Sequence, residues 1–239
     1  MKTRRMPLFI FLSMLVVIGG LVLALIQLTK SDIVKTEGVL QEGPPTPTTA
    51  ELPADVVQST GEYLLPDSSF INSPTAIGFD IEAALSGGYL ERFSQDYYGV
   101  RYSGGEMVER TALGHSIHPK VILALIEYQS GWVSAENAGE IQHTSGLGIT
   151  DRDFGGFYQE LYWAADRMAY GYYARRVGAL ETVGLTDGSV VTLPEELNPG
   201  SVGVYYFFSQ VCDESCWNKA ITQKGFQKIY LDLFGDPYA

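Results

Sequence analysis

No charged side chain occurs between Met6 and Thr29, a run bracketed by Lys2, Arg4 and Arg5 on one side and Lys30 on the other. At about 1.5 Å per helical residue, such a run spans the roughly 30 Å hydrocarbon layer of a bilayer. It reads as an object separate from the rest of the chain, and residues 1–30 are expected to be an N-terminal transmembrane anchor. A cleaved secretory signal has a shorter apolar region and a small-x-small site, which "LVLALIQLTK" does not offer, and no lipobox cysteine follows. The alternative of secretion after signal cleavage stays open. In either case the basic flank stays inside and the rest is exported; the uncleaved anchor gives a single-pass membrane protein with its domain on the extracytoplasmic side.

The exported part is acidic. Four of the 16 basic side chains lie in the first thirty residues, leaving 12 against 28 acidic ones, a net charge of −16. Nucleic acid, which requires a basic footprint, is excluded as a partner. The only expected membrane contact is through the N-terminal helix. Neutral polysaccharide and peptide partners remain open.

Behind the anchor, "TEGVLQEGPPTPTTAELPADVVQST" concentrates prolines with Thr and Glu and has no hydrophobic period. Residues 31–69 are expected to be a disordered, Pro/Thr-rich linker, with the folded domain over 70–239. Within it the pattern is mainly α. "SGGEMVERTALG" places Met107, Val108 and Leu113 on a short amphipathic helix that stops at Gly114.

His118 or a neighbour then caps a second helix with Pro119 at its first position, and Gly131 ends it. That helix carries Val121, Ile122, Leu125, Ile126 and Gln129 as its stripe, with Lys120, Leu123, Glu127 and Ser130 on the other face. A longer helix from about Gly156 to Arg176 has Leu161, Ala165, Met168 and Tyr172 as its buried face. Asp187-Gly188, between alternating segments, signals a β-hairpin. Asn198 is placed to cap the following helix, and a last helix runs from about Gly225 to Phe234.

Several chemistries are absent by motif. The sequence holds no His-Glu-x-x-His, no Gly-x-Ser-x-Gly and no Gly-x-x-x-x-Gly-Lys. His115 and His118 are three residues apart at a helix start with no obvious third ligand, so no metal site and no cofactor are expected. Cys212 and Cys216 are the only cysteines. In an oxidising exterior two nearby cysteines pair; two reduced thiols on successive helical turns are the alternative.

The stretch "HPKVILALIEYQSGW" resembles the helix of the lysozyme-like superfamily, specifically soluble lytic transglycosylases, of the form His-Pro-x-Leu-Leu-x-Ala-x-Ile-x-x-Glu-Ser-Gly-Phe. Gly146-Leu147-Gly148 in "HTSGLGITDRDF" resembles that family's Gly-Leu-Met-Gln loop. The later Ala-Tyr-Asn-Ala-Gly motif has no counterpart. The "EYQSGW" helix and the ending "LFGDPYA" are similar also to a helical region found ahead of M23-type peptidase domains in some bacterial envelope proteins. The resemblance implies a lysozyme-like helical domain that acts on or binds peptidoglycan glycan strands.

It also implies one catalytic carboxylic acid, raised in pKa by burial, at the position that here is Gln129. An amide cannot donate that proton. Glu127 lies two residues earlier, about 200° around the helix; it is either a solvated helix carboxylate or a displaced acid. Glu136, Glu140, Asp151 and Asp153 are weaker candidates. Ser130, Trp132, Gly146, Leu147, Tyr158 and Tyr162 are the candidate substrate-binding residues. Three functions follow: a catalytically degenerate glycan-binding domain, an active lytic transglycosylase or muramidase using Glu127, and a non-enzymatic envelope scaffold or sensor.

Overall fold

The computed structural model describes residues 56–58, 61–136, 146–149 and 152–238. The expected anchor over 1–30 lies outside them, as do Glu140, His143 and Asp151. Among the described residues no helix is long and apolar enough to cross a membrane. The described residues belong to one compact unit, 53–239.

The architecture is mainly helical. In chain order the elements are β1 (Val56–Gln58), α1 (Asp67–Phe70), a 3-10 turn (Pro74–Ala76), α2 (Ile81–Leu85), α3 (Tyr89–Arg92), β2 (Ser94–Tyr97) and β3 (Val100–Ser103). Then come α4 (Gly104–His115), α5 (Pro119–Ser130), α6 (Phe157–Arg176), β4 (Thr182–Gly184), β5 (Val190–Thr192), α7 (Pro199–Ser209), α8 (Glu214–Ala220) and α9 (Phe226–Phe234).

Helix α5 begins and ends where local chemistry dictates. The His118 Nδ1 accepts from the Lys120 N–H at 3.1 Å, and Pro119 occupies a position whose N–H has no intrahelical partner. Gly131 takes the left-handed conformation at φ 71° and returns its N–H to the Glu127 carbonyl. Every side chain from Val121 to Ile126 is fully buried. The two-faced helix expected from the sequence is therefore incorrect: Leu123 and Ser130 are as buried as Val121, because α4 and α9 pack against α5. Each aliphatic side chain so enclosed stabilises the fold by about 1.5–3 kcal/mol relative to its exposed state.

Helices α6 and α7 pack at close range. A Cβ on Gly203 would lie 2.5 Å from the Phe70 ring and 3.0 Å from the Met168 carbonyl, so only glycine admits this approach. Leu161, Ala165, Met168 and Tyr172 are buried as their spacing required. Helix α7 is buried almost throughout.

The β structure is more than the single hairpin expected. β4 and β5 do pair antiparallel around the Asp187-Gly188 turn, with Val183 opposite Val191, but β1 adds to β5 in parallel, giving the order β1-β5-β4. A second hairpin, β2–β3, turns at Tyr98 (φ 50°) and Gly99 (φ 79°), the two positive φ values that a two-residue type I′ turn needs. Its last residue, Ser103, forms a reciprocal capping box with Glu106 at the start of α4.

The packed chain also starts ahead of the expected boundary at Phe70. Leu64 and Leu65 are fully buried, and their backbone is bonded by side chains from α7 and α9. Cys212 and Cys216 form a disulfide at the start of α8.

Candidate functional site

The N-terminal half of α6 presents Tyr158, Gln159, Tyr162, Trp163 and Asp166 on one side, the side-chain neighbours that a period of 3.6 produces. Together with Tyr97 from β2 they line a cleft of about 330 Å³. The hairpin is fastened to the helix start by one side chain. The Gln95 Nε2 donates to the Gly155 carbonyl at 3.1 Å, while its Oε1 accepts from the Tyr158 N–H at 3.1 Å. A Cβ on Gly156, whose φ is 131°, would lie 1.9 Å from the Gln95 amide nitrogen. Gly156 thus permits the close approach that brings Tyr97 to the cleft.

The cleft is aromatic with polar edges. The Tyr97 and Tyr158 rings meet edge to face at 5.2 Å, and Tyr102 backs Tyr158 at 5.5 Å. His115 packs against Tyr162 at 4.3 Å, and Tyr162 is 54 % exposed. The Arg152 guanidinium lies 4.5 Å from the Trp163 ring, and Arg167, paired with Asp166, lies over the same ring at 5.9 Å. Burial pushes the Tyr158 hydroxyl above its ordinary pKa, partly offset by the Arg110 charge. At neutral pH that hydroxyl remains a hydrogen-bond donor.

A second cavity of about 360 Å³ lies nearer the helix start, with Phe93, Gln95, Trp132, Ile149, Arg152 and Glu160 among its walls. Phe154, also in its wall, lies 5.8 Å from Trp163, so one aromatic ridge borders both hollows. Glu160 is 1 % exposed, and its two oxygens accept from the Leu147 and Ile149 N–H groups, each at 3.0 Å. This buried carboxylate holds the Gly-Leu-Gly loop on α6.

The candidates proposed from sequence divide into two groups. Tyr158 and Tyr162 share the aromatic cleft, and Trp132 lines the second cavity. Gly146 and Leu147 serve packing instead: a Cβ on Gly146 would fall 2.0 Å from the Phe157 ring, and Leu147 is buried. Ser130 is buried and donates to the Ile126 carbonyl at 2.9 Å.

Neither Glu127 nor Gln129 lines either hollow. The Glu127 Oε2 accepts from the Val133 and Ser134 N–H groups at 3.0 Å each, and its Oε1 accepts from the Ser134 hydroxyl. The side chain folds back over the end of its own helix, so the solvated-carboxylate expectation gives way to a turn anchor. Asp153 stands at the second cavity, whereas Glu136 offers its carbonyl to Arg92.

Sequence reasoning missed Tyr97, Gln159, Trp163, Asp166 and Glu160. The i, i+4 pairs Tyr158–Tyr162 and Gln159–Trp163 were the available signal. His115 bonds the Thr111 carbonyl and His118 caps α5. Among the described residues no group of three or more His, Cys, Asp or Glu is placed to hold a metal ion.

The fold and cleft define a small helical domain with an aromatic cleft on one side of α6. The family model described as LasA, N-terminal domain matches residues 63–239, and the chain belongs to that family. The match agrees with the likeness to helical regions ahead of M23-type peptidase domains. No curated protein matches the chain, and no solved structure does.

Proposed function

We propose that this domain is a non-catalytic, peptidoglycan-binding module of the cell envelope, a degenerate relative of lysozyme-like domains held at the membrane by residues 1–30. The aromatic cleft carries the reading. A pyranose ring has apolar C–H faces that stack on aromatic side chains, and Tyr97, Tyr158, Tyr162 and Trp163 provide such faces. Its equatorial hydroxyls need donors and acceptors at the rim, which Gln159, Asp166 and the tyrosine hydroxyls supply.

The absence of chemistry in this reading rests on Glu127. A general acid must reach the glycosidic oxygen, but this side chain is bonded to the turn at 133–134 and stands outside both hollows. In a family of domains of the kind that precede M23-type peptidases, such a module would hold that chemistry against its wall polymer.

Sedimenting the full chain, in detergent, with purified peptidoglycan sacculi tests the proposal. Binding should be weakened about tenfold by Tyr162→Ala, with no soluble sugars released. Failure to sediment, or release of anhydro-sugars that Glu127→Gln abolishes, would overturn it.

A further inference from the structure

A third hollow, of about 210 Å³, shares no wall residue with the two on α6. It forms where the start of α5, the end of α9 and the tail after α9 come together beside α1. Its walls carry an ammonium, that of Lys120, and a carboxylate, that of Asp236. Local chemistry sets each in place. The buried His118 caps α5 by accepting from the Lys120 N–H, which fixes the backbone from which the lysine leaves. The half-buried Lys120 then holds its ammonium 5.5 Å from the Phe79 ring and 5.6 Å from the Phe234 ring. Gly235, at φ 80°, ends α9 and turns the chain, and the Ser69 hydroxyl donates to the Pro237 carbonyl at 2.9 Å. The tail so fastened carries Asp236, whose Oδ1 accepts from the Tyr238 N–H at 2.8 Å.

Opposite charges attract most strongly at contact. Yet among the described residues neither Lys120 nor Asp236 forms an ion pair, although both line one small hollow. A ligand that satisfies both at once carries a carboxylate and an ammonium on a short skeleton. We infer that this hollow binds a small α-amino acid as its zwitterion. The carboxylate pairs with Lys120, the ammonium with Asp236, and a short side chain lies against Phe234. A simple carboxylate would meet Asp236 as a like charge, and a simple amine would meet Lys120 as one, so each wall rejects half of the ligand presented alone. The inference goes beyond the glycan-binding reading and does not depend on what the aromatic cleft takes.

The test titrates the full chain, in detergent, with glycine and in parallel with acetate and methylamine, each of which carries one of glycine's two charges. The amide resonances of Lys120, Tyr230 and Asp236 should shift saturably with glycine. Solvent-exposed ion pairs contribute little each, so half-saturation is expected at about 1 mM. Acetate and methylamine should bind at least tenfold more weakly. Lys120→Met, which keeps an apolar stem over Phe79 and Phe234, and Asp236→Asn should each weaken glycine at least tenfold, with unliganded spectra that overlay the wild type outside the hollow. The comparison of the three probes is made on wild-type protein, so it decides even where a variant misfolds. No saturable shift with glycine, acetate or methylamine binding as tightly as glycine, or undiminished binding by the folded variants would overturn the assignment.

Discussion

Glu127 and Glu160 stand thirty-three residues apart and use their carboxylates alike, each accepting two backbone N–H groups from a loop that follows or precedes its helix. Their surroundings differ: Glu160 is enclosed, whereas Glu127 is half-buried at the end of α5. Hydrogen bonds to a charged acceptor contribute about 1.5–3 kcal/mol each when well shielded, and less where water competes. Glu127→Ala should therefore lower stability by about 1–2 kcal/mol, a fall in Tm of roughly 3–6 °C in a thermal melt. Sedimentation with sacculi should be unchanged, since the side chain is outside the cleft. Lost binding with unaltered Tm would assign Glu127 to ligand recognition instead of to the turn. The sequence could place Glu127 off the stripe of α5 but not find its partners, because the accepting geometry exists only once Gly131 has reversed the chain.

Elements whose ends are fixed by local chemistry were readable in advance; those completed by distant partners were not. Pro119 and Gly131 delimit α5, and Asp187-Gly188 announces β4–β5, each from adjacent residues alone. The β2–β3 hairpin escaped because its turn is Tyr98-Gly99, in which a tyrosine takes a positive φ more usual for Asn or Gly. The cleft depends on that hairpin, so Tyr97 escaped with it. The β4–β5 turn also fastens α8: the Asp187 Oδ1 accepts from the Ser189 hydroxyl at 2.6 Å and N–H at 3.0 Å, and its Oδ2 from the Glu214 N–H at 3.0 Å. The Ser189 hydroxyl first, then the Glu214 amide, lower the Asp187 pKa from 3.8 to about 2. A folded-state pKa below the unfolded value means that the stabilisation is present above pH 3.8 and is lost as pH falls through about 2. The Ser189 and Glu214 amide resonances should titrate together with a midpoint near 2, and Asp187→Asn should remove the transition. A midpoint at the ordinary carboxylate value would mean that the turn and α8 are not joined through this side chain.

At the scale of the whole molecule, the segment 61–69 is stitched to helices more than 130 residues later. The Ser201 hydroxyl accepts from the Leu64 N–H at 2.8 Å, and the Asn198 amide donates to the Leu65 carbonyl at 2.7 Å. The Gln227 amide donates to the Leu64 carbonyl at 2.8 Å, and the Tyr205 hydroxyl both accepts from the Glu62 N–H and donates to its carbonyl. None of this was visible in a stretch whose neighbours are prolines and threonines, since a pair of leucines has no period of its own and its partners lie at the far end of the chain. The consequence is that Leu64 and Leu65 close the core. Removing both forfeits about 3–6 kcal/mol of burial and leaves the Ser201 and Gln227 side chains without their backbone partners. Against a total stability of about 5–15 kcal/mol for a typical domain, that loss is enough to disrupt cooperative folding. A chain beginning at Phe70 should therefore show a broad, weakly cooperative melt by circular dichroism and near-ultraviolet signals of loosened aromatic packing. One beginning at Gly61 should melt sharply. If the two melt alike, the segment is a passive linker after all, and the core is complete without it.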